Sequence, residues 1–194
     1  MTNISRPVSI WRRVLLYAIL FFVLYNIQLY PAFWLNVPAP DFLLLLPVVV
    51  GLARGGTEGF VIGLISGFLR DYAVGRLYGL GMLEGMILGL IAGMFFINNR
   101  ELFWKRLLLL GLAVTLVHEF AMTSLAFFFP LDRELSLSFP AMLKNSASNL
   151  AFTLVVNLIA AVLILCFLWL GFYQRKKQRQ KSGTDVYGGF NRAL

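Results

Sequence analysis

Glycines recur every four residues through an apolar stretch, at Gly59, Gly63 and Gly67 and again at Gly81, Gly85, Gly89 and Gly93. That spacing stacks them on one face of a helix. A helix face without side chains can approach another backbone closely. In lipid, where burial supplies no drive for helices to associate, such faces hold them together. Arg70-Asp71-Tyr72-Ala73-Val74-Gly75-Arg76-Leu77-Tyr78-Gly79 separates the two ribbons. The pattern predicts two antiparallel helices joined by a short turn. With the turn centred on residue 76, Gly59 should face Gly93, Gly63 should face Gly89, and Gly67 should face Gly85. The matched register favours ribbons that meet each other; a partner helix lying against them is the alternative.

Only 13% of the 194 residues are charged, against about a quarter in soluble domains, and mean hydropathy is +0.79. The chain reads as an all-α polytopic membrane protein. A spanning helix needs roughly 20 residues, so six spans with short loops use up the length. They are expected at 14–29, 41–53, 57–74, 79–97, 107–129 and 147–172. Between Arg13 and Asp41 there is no charge at all, which demands the first span. This run is longer than a signal-peptide core and no A-x-A site follows it. Pro47 predicts a bent or partly re-entrant second helix, because proline removes a backbone donor. Thr57 is placed to cap the third, with Glu58 in its first turn. Residues 98–106 read as a polar turn and 130–144 as a loop whose alternating 135–139 segment lies along the membrane surface.

The net charge of +8 would suggest nucleic acid in a soluble chain, but the basic residues here gather at span ends. With both termini inside, 13 of the 17 Lys and Arg fall on the inner side, which places the termini in the cytoplasm. Trp11, Trp34, Trp104 and Trp169 fall near span ends, in agreement. The layout is a basic head at 1–13, a six-helix domain at 14–173 and a basic tail at 174–194. Arg175, Lys176 and Lys177 read as a topology anchor on anionic lipid, with docking of a cytoplasmic protein as the alternative. Cys166 is the single cysteine and forms no internal disulfide.

Ionisable groups inside a membrane are costly, so each is a functional candidate or a packing pair. Arg70 and Glu84 are predicted to pair across the hairpin, Asp71 lies beside them, and Asp41 is placed to cap the second span or line a pocket. A contact with a partner is the other reading for this set. Arg54 and Glu58 suggest a local cap. His118-Glu119 lies mid-span. It is expected to hydrogen-bond Asn149 or Asn157, with a pocket lining or a proton relay as alternatives. The zinc-protease pattern fails, since Met122 stands where its second histidine would be, and no other histidine exists for a metal. Gly63-Leu64-Ile65-Ser66-Gly67 lacks the first glycine of a nucleophile elbow, and no Walker pattern occurs. Neither a metal nor a cofactor is expected.

Pro40-Asp41-Phe42, Ala53-Arg54-Gly55-Gly56, Glu58-Gly59, Gly63, Gly67-Phe68-Leu69-Arg70-Asp71, Gly75 and Gly79-Leu80-Gly81-Met82 occur in an order that resembles the MreD family of rod shape-determining membrane proteins. The resemblance covers roughly 14–172 in length and span order. It implies a non-enzymatic role in the inner membrane, within the machinery for lateral peptidoglycan synthesis, the elongasome. It implies MreC as partner, with links to MreB, RodA and a penicillin-binding protein. It also implies a fold like the six-helix substrate-binding subunits of energy-coupling-factor transporters. His118-Glu119 and the tail lie outside the family pattern. The reading is therefore a scaffold for MreC, using Asp41, Arg70, Asp71 and Glu84 as its outer polar set. The rival is a solute-binding subunit of a vitamin transporter, and an intramembrane enzyme is the weakest reading for want of a nucleophile and base.

Overall fold

The computed structural model describes residues 10–29, 39–74, 79–96, 100–129 and 138–172. Six helices follow in order: α1 (Ile10–Leu29), α2 (Phe42–Arg54), α3 (Gly56–Val74), α4 (Leu80–Met94), α5 (Arg100–Phe128) and α6 (Phe139–Phe172). Among the described residues there is no strand. Ile10–Leu29, Glu101–Phe128 and Phe139–Phe172 are long and apolar enough to cross a membrane, and α2 and α4 are shorter apolar helices. Trp34, Arg76, the 130–137 segment and Arg175, Lys176 and Lys177 lie outside the described residues.

The bundle is built around α2, which packs against every other helix. Each residue from Phe42 to Leu52 is buried. A run of leucine and valine with no polar side chain suits such a position, since every face meets another helix. Pro47 sits inside this helix, which continues through it to Arg54. The backbone there is shielded by neighbours, which is where a membrane protein tolerates a missing donor. Gly55 ends α2 at φ 106°, a conformation open to glycine and strained for other residues, and its N–H returns to the Gly51 carbonyl. α3 begins at once at Gly56, so Thr57 lies inside its first turn and does not cap it.

α3 packs most extensively on α4, and α2 lies along both. The ribbons do meet each other, but one turn away from the expected register. Gly59 faces Gly89, Gly63 faces Gly85 and Gly67 faces Gly81, while Gly93 lies on Gly55–Gly56 and Gly51 of α2 joins at Gly89. The physical cause is Asp71. Its carboxylate accepts from the backbone N–H of Gly79 at 2.8 Å and of Gly81 at 2.9 Å, which ties the start of α4 to the last turn of α3. The pivot therefore falls at the end of α3, earlier than a symmetric turn would place it.

α5 and α6 form a long antiparallel pair, about 43 and 51 Å by helix rise. Both start earlier than the sequence suggests. The expected polar turn is helical from Arg100, and the expected loop is helical from Phe139, where the Ser138 carbonyl accepts from Ala141 and Met142. Pro140 fits because the first helical turn needs no internal donor. α1 presents Tyr17, Leu20, Phe21 and Leu24 to the core and leaves Trp11, Val14 and Phe22 exposed. Apolar residues on both faces are what a lipid-facing helix needs.

The glycine contacts are testable by adding a methyl group. A Cβ at Gly63 would overlap the Gly85 backbone, whereas one at Gly111 would meet only Leu158 Cδ1 at 3.9 Å. Gly63→Ala should cost at least about 1–3 kcal/mol, because backbone cannot give way as a side chain can. Gly111→Ala should be close to neutral. Thermal unfolding of the purified variants measures both.

Candidate functional site

Two polar layers close the ends of α2. At its Arg54 end, Glu58 Oε1 accepts from Arg13 Nη1 at 2.9 Å and Glu58 Oε2 from Tyr17 Oη at 2.9 Å. Arg54 Nε donates to Glu58 Oε2 at 3.1 Å, and its guanidinium lies 4.7 Å from the centre of the Phe172 ring. Arg54–Glu58 is thus more than a local cap. It joins α1, α2, α3 and α6.

The Asp41 end is richer. Asp41 caps α2 as expected, with Oδ1 accepting from Leu44 N at 3.0 Å. The same oxygen accepts from Gln28 Nε2 at 3.1 Å, and Gln28 Oε1 in turn accepts from Leu43 N. Asp41 N donates to Asn157 Oδ1 at 2.9 Å, and Asn157 Nδ2 donates to Thr115. Four helices, α1, α2, α5 and α6, therefore meet at the first turn of α2.

Arg70 is the centre of the charged set. It is 5% exposed, so its charge must be matched inside the protein. Nε lies 3.2 Å from Asp41 Oδ2 in an ion pair, and Nη1 donates to Glu84 Oε2 at 3.0 Å. The Arg70–Glu84 pair is the one predicted across the hairpin, and it forms despite the shifted register. In that register Arg70 stands six residues, about 9 Å, beyond the level of Glu84. Side chains lean toward the N-terminus of their helix, so Arg70 leans down α3 and Glu84 leans up α4, and the gap closes.

His118 completes the set. Its Nδ1 lies 2.8 Å from Glu84 Oε1, and its Nδ1 and Nε2 lie 3.1 and 2.9 Å from Arg70 Nη2, so the imidazole bridges the carboxylate and the guanidinium. Nε2 lies 4.0 Å from Asp41 Oδ2. Two carboxylates thus face one guanidinium. Asp71, also buried, is matched by the backbone N–H groups at the α4 N-terminus.

The expected partners of His118-Glu119 were the asparagines, and that expectation is corrected. His118 pairs with Glu84 and Arg70, and Glu119 Oε2 accepts from Ser146 at 3.2 Å. Asn157, which is buried, serves Asp41 and Thr115, whereas Asn149 is exposed. Eight residues separate them, which turns Asn149 about 80° away around α6. Asp41, Arg70, Glu84 and His118 are brought together; Glu119 and Asn149 are not. Arg13, Tyr17, Gln28 and Thr115 carry contacts that no motif marks. The signal for Gln28 and Asn157 was an amide inside an apolar run.

The set is suited to holding helices in one arrangement, because each charged group is paired with a side chain of another helix. Among the described residues no group of three metal-ligating side chains could hold a metal ion. Arg70→Ala should lower stability by about 3–5 kcal/mol, since it strands Asp41 and Glu84 half-buried without their cation. Arg70→Lys should recover only part, because an ammonium cannot reach Asp41, Glu84 and His118 at once. Thermal unfolding in lipid or detergent distinguishes the three proteins.

A family model described as rod shape-determining protein MreD matches residues 9–176, most of the chain. Comparisons with curated proteins and with solved structures returned no match.

Proposed function

The chain belongs to the MreD family of rod shape-determining proteins, and on that premise we propose that it is a non-catalytic scaffold that holds MreC in the wall-elongation complex of the bacterial inner membrane. All six helices cross the bilayer in this reading, with a basic head and tail in the cytoplasm. The topology is that of the six-helix subunits of energy-coupling-factor transporters. The Glu58 layer then faces the cytoplasm and the Asp41 layer faces outward, in accord with the placement of Lys and Arg.

The observation that carries the scaffold reading is the outward ionic set. Asp41, Arg70, Glu84 and His118 come from four helices and close on one another. Such a set fixes helix positions, and so fixes the shape of any surface those helices present. Asp71 supports it by holding the start of α4. MreB, RodA and a penicillin-binding protein would be reached through MreC or beside it. Glu119 and Asn149, further along α5 and α6, are further candidates for partner contact.

The test has two parts. In cells depleted of their own MreD, the chain should restore rod shape and should retain MreC through detergent extraction and affinity purification. Neutralising Asp41, Arg70, Asp71 and Glu84 together should abolish both, with membrane insertion checked by protease protection. Undiminished retention of MreC by that variant would sink the assignment. A stoichiometric small ligand found by mass spectrometry of the purified protein would favour the solute-binding alternative instead.

A further inference from the structure

The Arg54 end of α2 holds more positive charge than its one carboxylate can match. Glu58 accepts from Arg54 Nε at 3.1 Å and Nη2 at 3.3 Å, from Arg13 Nη1 at 2.9 Å and from Tyr17 Oη at 2.9 Å. A carboxylate offers about four lone-pair sites, so Glu58 is filled. It brings one negative charge to two guanidiniums, and arginine stays protonated in proteins, so the excess is fixed. Arg12 adds a third cation, held against the end of α6 by its bond to the Gly171 carbonyl at 2.9 Å. Residues 1–9 contain no Asp or Glu, and the tail after Phe172 contains only Asp185. Glu101 belongs to α5, which packs on α6 and α2.

Arg13 is the cation with donors to spare. Its side chain is 32% exposed, and its bond to Glu58 uses one of five N–H groups. Among the described residues neither the buried Nε nor Nη2 has a partner. A guanidinium anchored through one nitrogen and open at the next is set to receive an oxyanion. Its depth points to the kind of oxyanion. The Arg12–Gly171 bond puts the start of α1 and the end of α6 at one level, and Trp11 and Trp169 are exposed there. Indole rings favour the headgroup boundary. Away from that boundary, the α1–α6 seam has an apolar rim. Ile19 lies two turns beyond Arg12 on the same face of α1, and Leu163 and Leu170 lie two turns apart on α6. All three are exposed.

We propose that Arg12 and Arg13 bind the phosphate of an anionic phospholipid of the inner leaflet, whose acyl chains lie along the α1–α6 seam. This rests on the bilayer placement given above and goes beyond the scaffold reading, since it needs no MreC. The phosphate takes the open donors of Arg13 and supplies the negative charge that Glu58 cannot. A lipid with net charge of about −1 offsets the excess, whereas phosphatidylcholine brings its own cation and leaves it unchanged. The contact acts where the protein is loosest, because α1 is the most lightly packed of the six helices. The seating of α1 would then follow the anionic content of the leaflet.

The experiment uses the full chain reconstituted in phosphatidylcholine bilayers with a trace of photoactivatable lipid, either phosphatidylglycerol or phosphatidylcholine, carrying its reactive group on the acyl chain. Peptide mapping then locates the attached lipid. Phosphatidylglycerol should label the seam at Ile19, Leu163 and Leu170 about fivefold more than phosphatidylcholine does. Arg13→Gln should bring the two lipids to parity there, while labelling that follows the basic tail is unchanged. This variant leaves Glu58 bonded to Arg54 and Tyr17. Should it fail to fold, the native chain decides alone: equal seam labelling by the two lipids, or a phosphatidylglycerol preference spread evenly over all six helices, overturns the proposal. So does an undiminished preference in folded Arg13→Gln. Millimolar inorganic phosphate should leave the seam labelling as it was; displacement of the lipid by it would assign the site to a soluble anion and overturn the lipid reading. MreC is absent throughout, so failure here leaves the scaffold reading standing, and loss of MreC retention in cells leaves this result untouched.

Discussion

Direct backbone contact between α3 and α4 is the constraint on which the remaining structure depends. Gly59, Gly63 and Gly67 lie on Gly89, Gly85 and Gly81 with no side chain between them. Lipid and helix surface are equally apolar, so close packing has to supply the attraction that water would supply elsewhere. The two helices form a flat pair, and α2 lies along it through Gly51. Once α2 is seated there, its ends determine where polar groups can go. Asp41 and Arg54 bound an apolar helix of 13 residues, and each end collects its own ionic network.

The membrane class, the number of helices and the pairing of Arg70 with Glu84 were legible in the sequence. Glycine spacing and uncharged runs are strong signals because helix geometry converts them directly into faces and lengths. The hairpin register was not legible to better than one turn. A four-residue repeat matches itself equally well after a shift of four, and the deciding contact, Asp71 to Gly79 and Gly81, is a side chain bonding to backbone. No periodicity encodes that. The ends of α5 and α6 were misjudged for another reason. Lys105, Arg106, Lys144 and Asn145 look like loop composition, yet they continue helices.

The site was half legible. Ionisable residues in apolar runs announced themselves individually, and depth along the hairpin was enough to bring Arg70 and Glu84 together. That His118 on α5 joins them required knowing that α5 packs on α2, which depends on the whole bundle. Asn149 and Asn157 looked alike in sequence; their positions around α6 separate an exposed amide from one that holds the first turn of α2. Tyr17 and Arg13 likewise gain meaning only from Glu58, 41 and 45 residues away.

The short central helix has a consequence for how such a protein is made. α2 is about 20 Å long, against a hydrocarbon layer of about 30 Å, and carries a proline at its middle. A segment like this gains little by entering lipid on its own. Its aspartate and arginine ends would be drawn into the apolar layer, and the gap at Pro47 would face acyl chains. Its stable position exists only once the α3–α4 pair is present to receive it. In the proposed six-span arrangement, insertion of the second segment would therefore wait on the two that follow, and the block from Asp41 to Met94, which holds the most extensive contacts of α2, would enter as one unit.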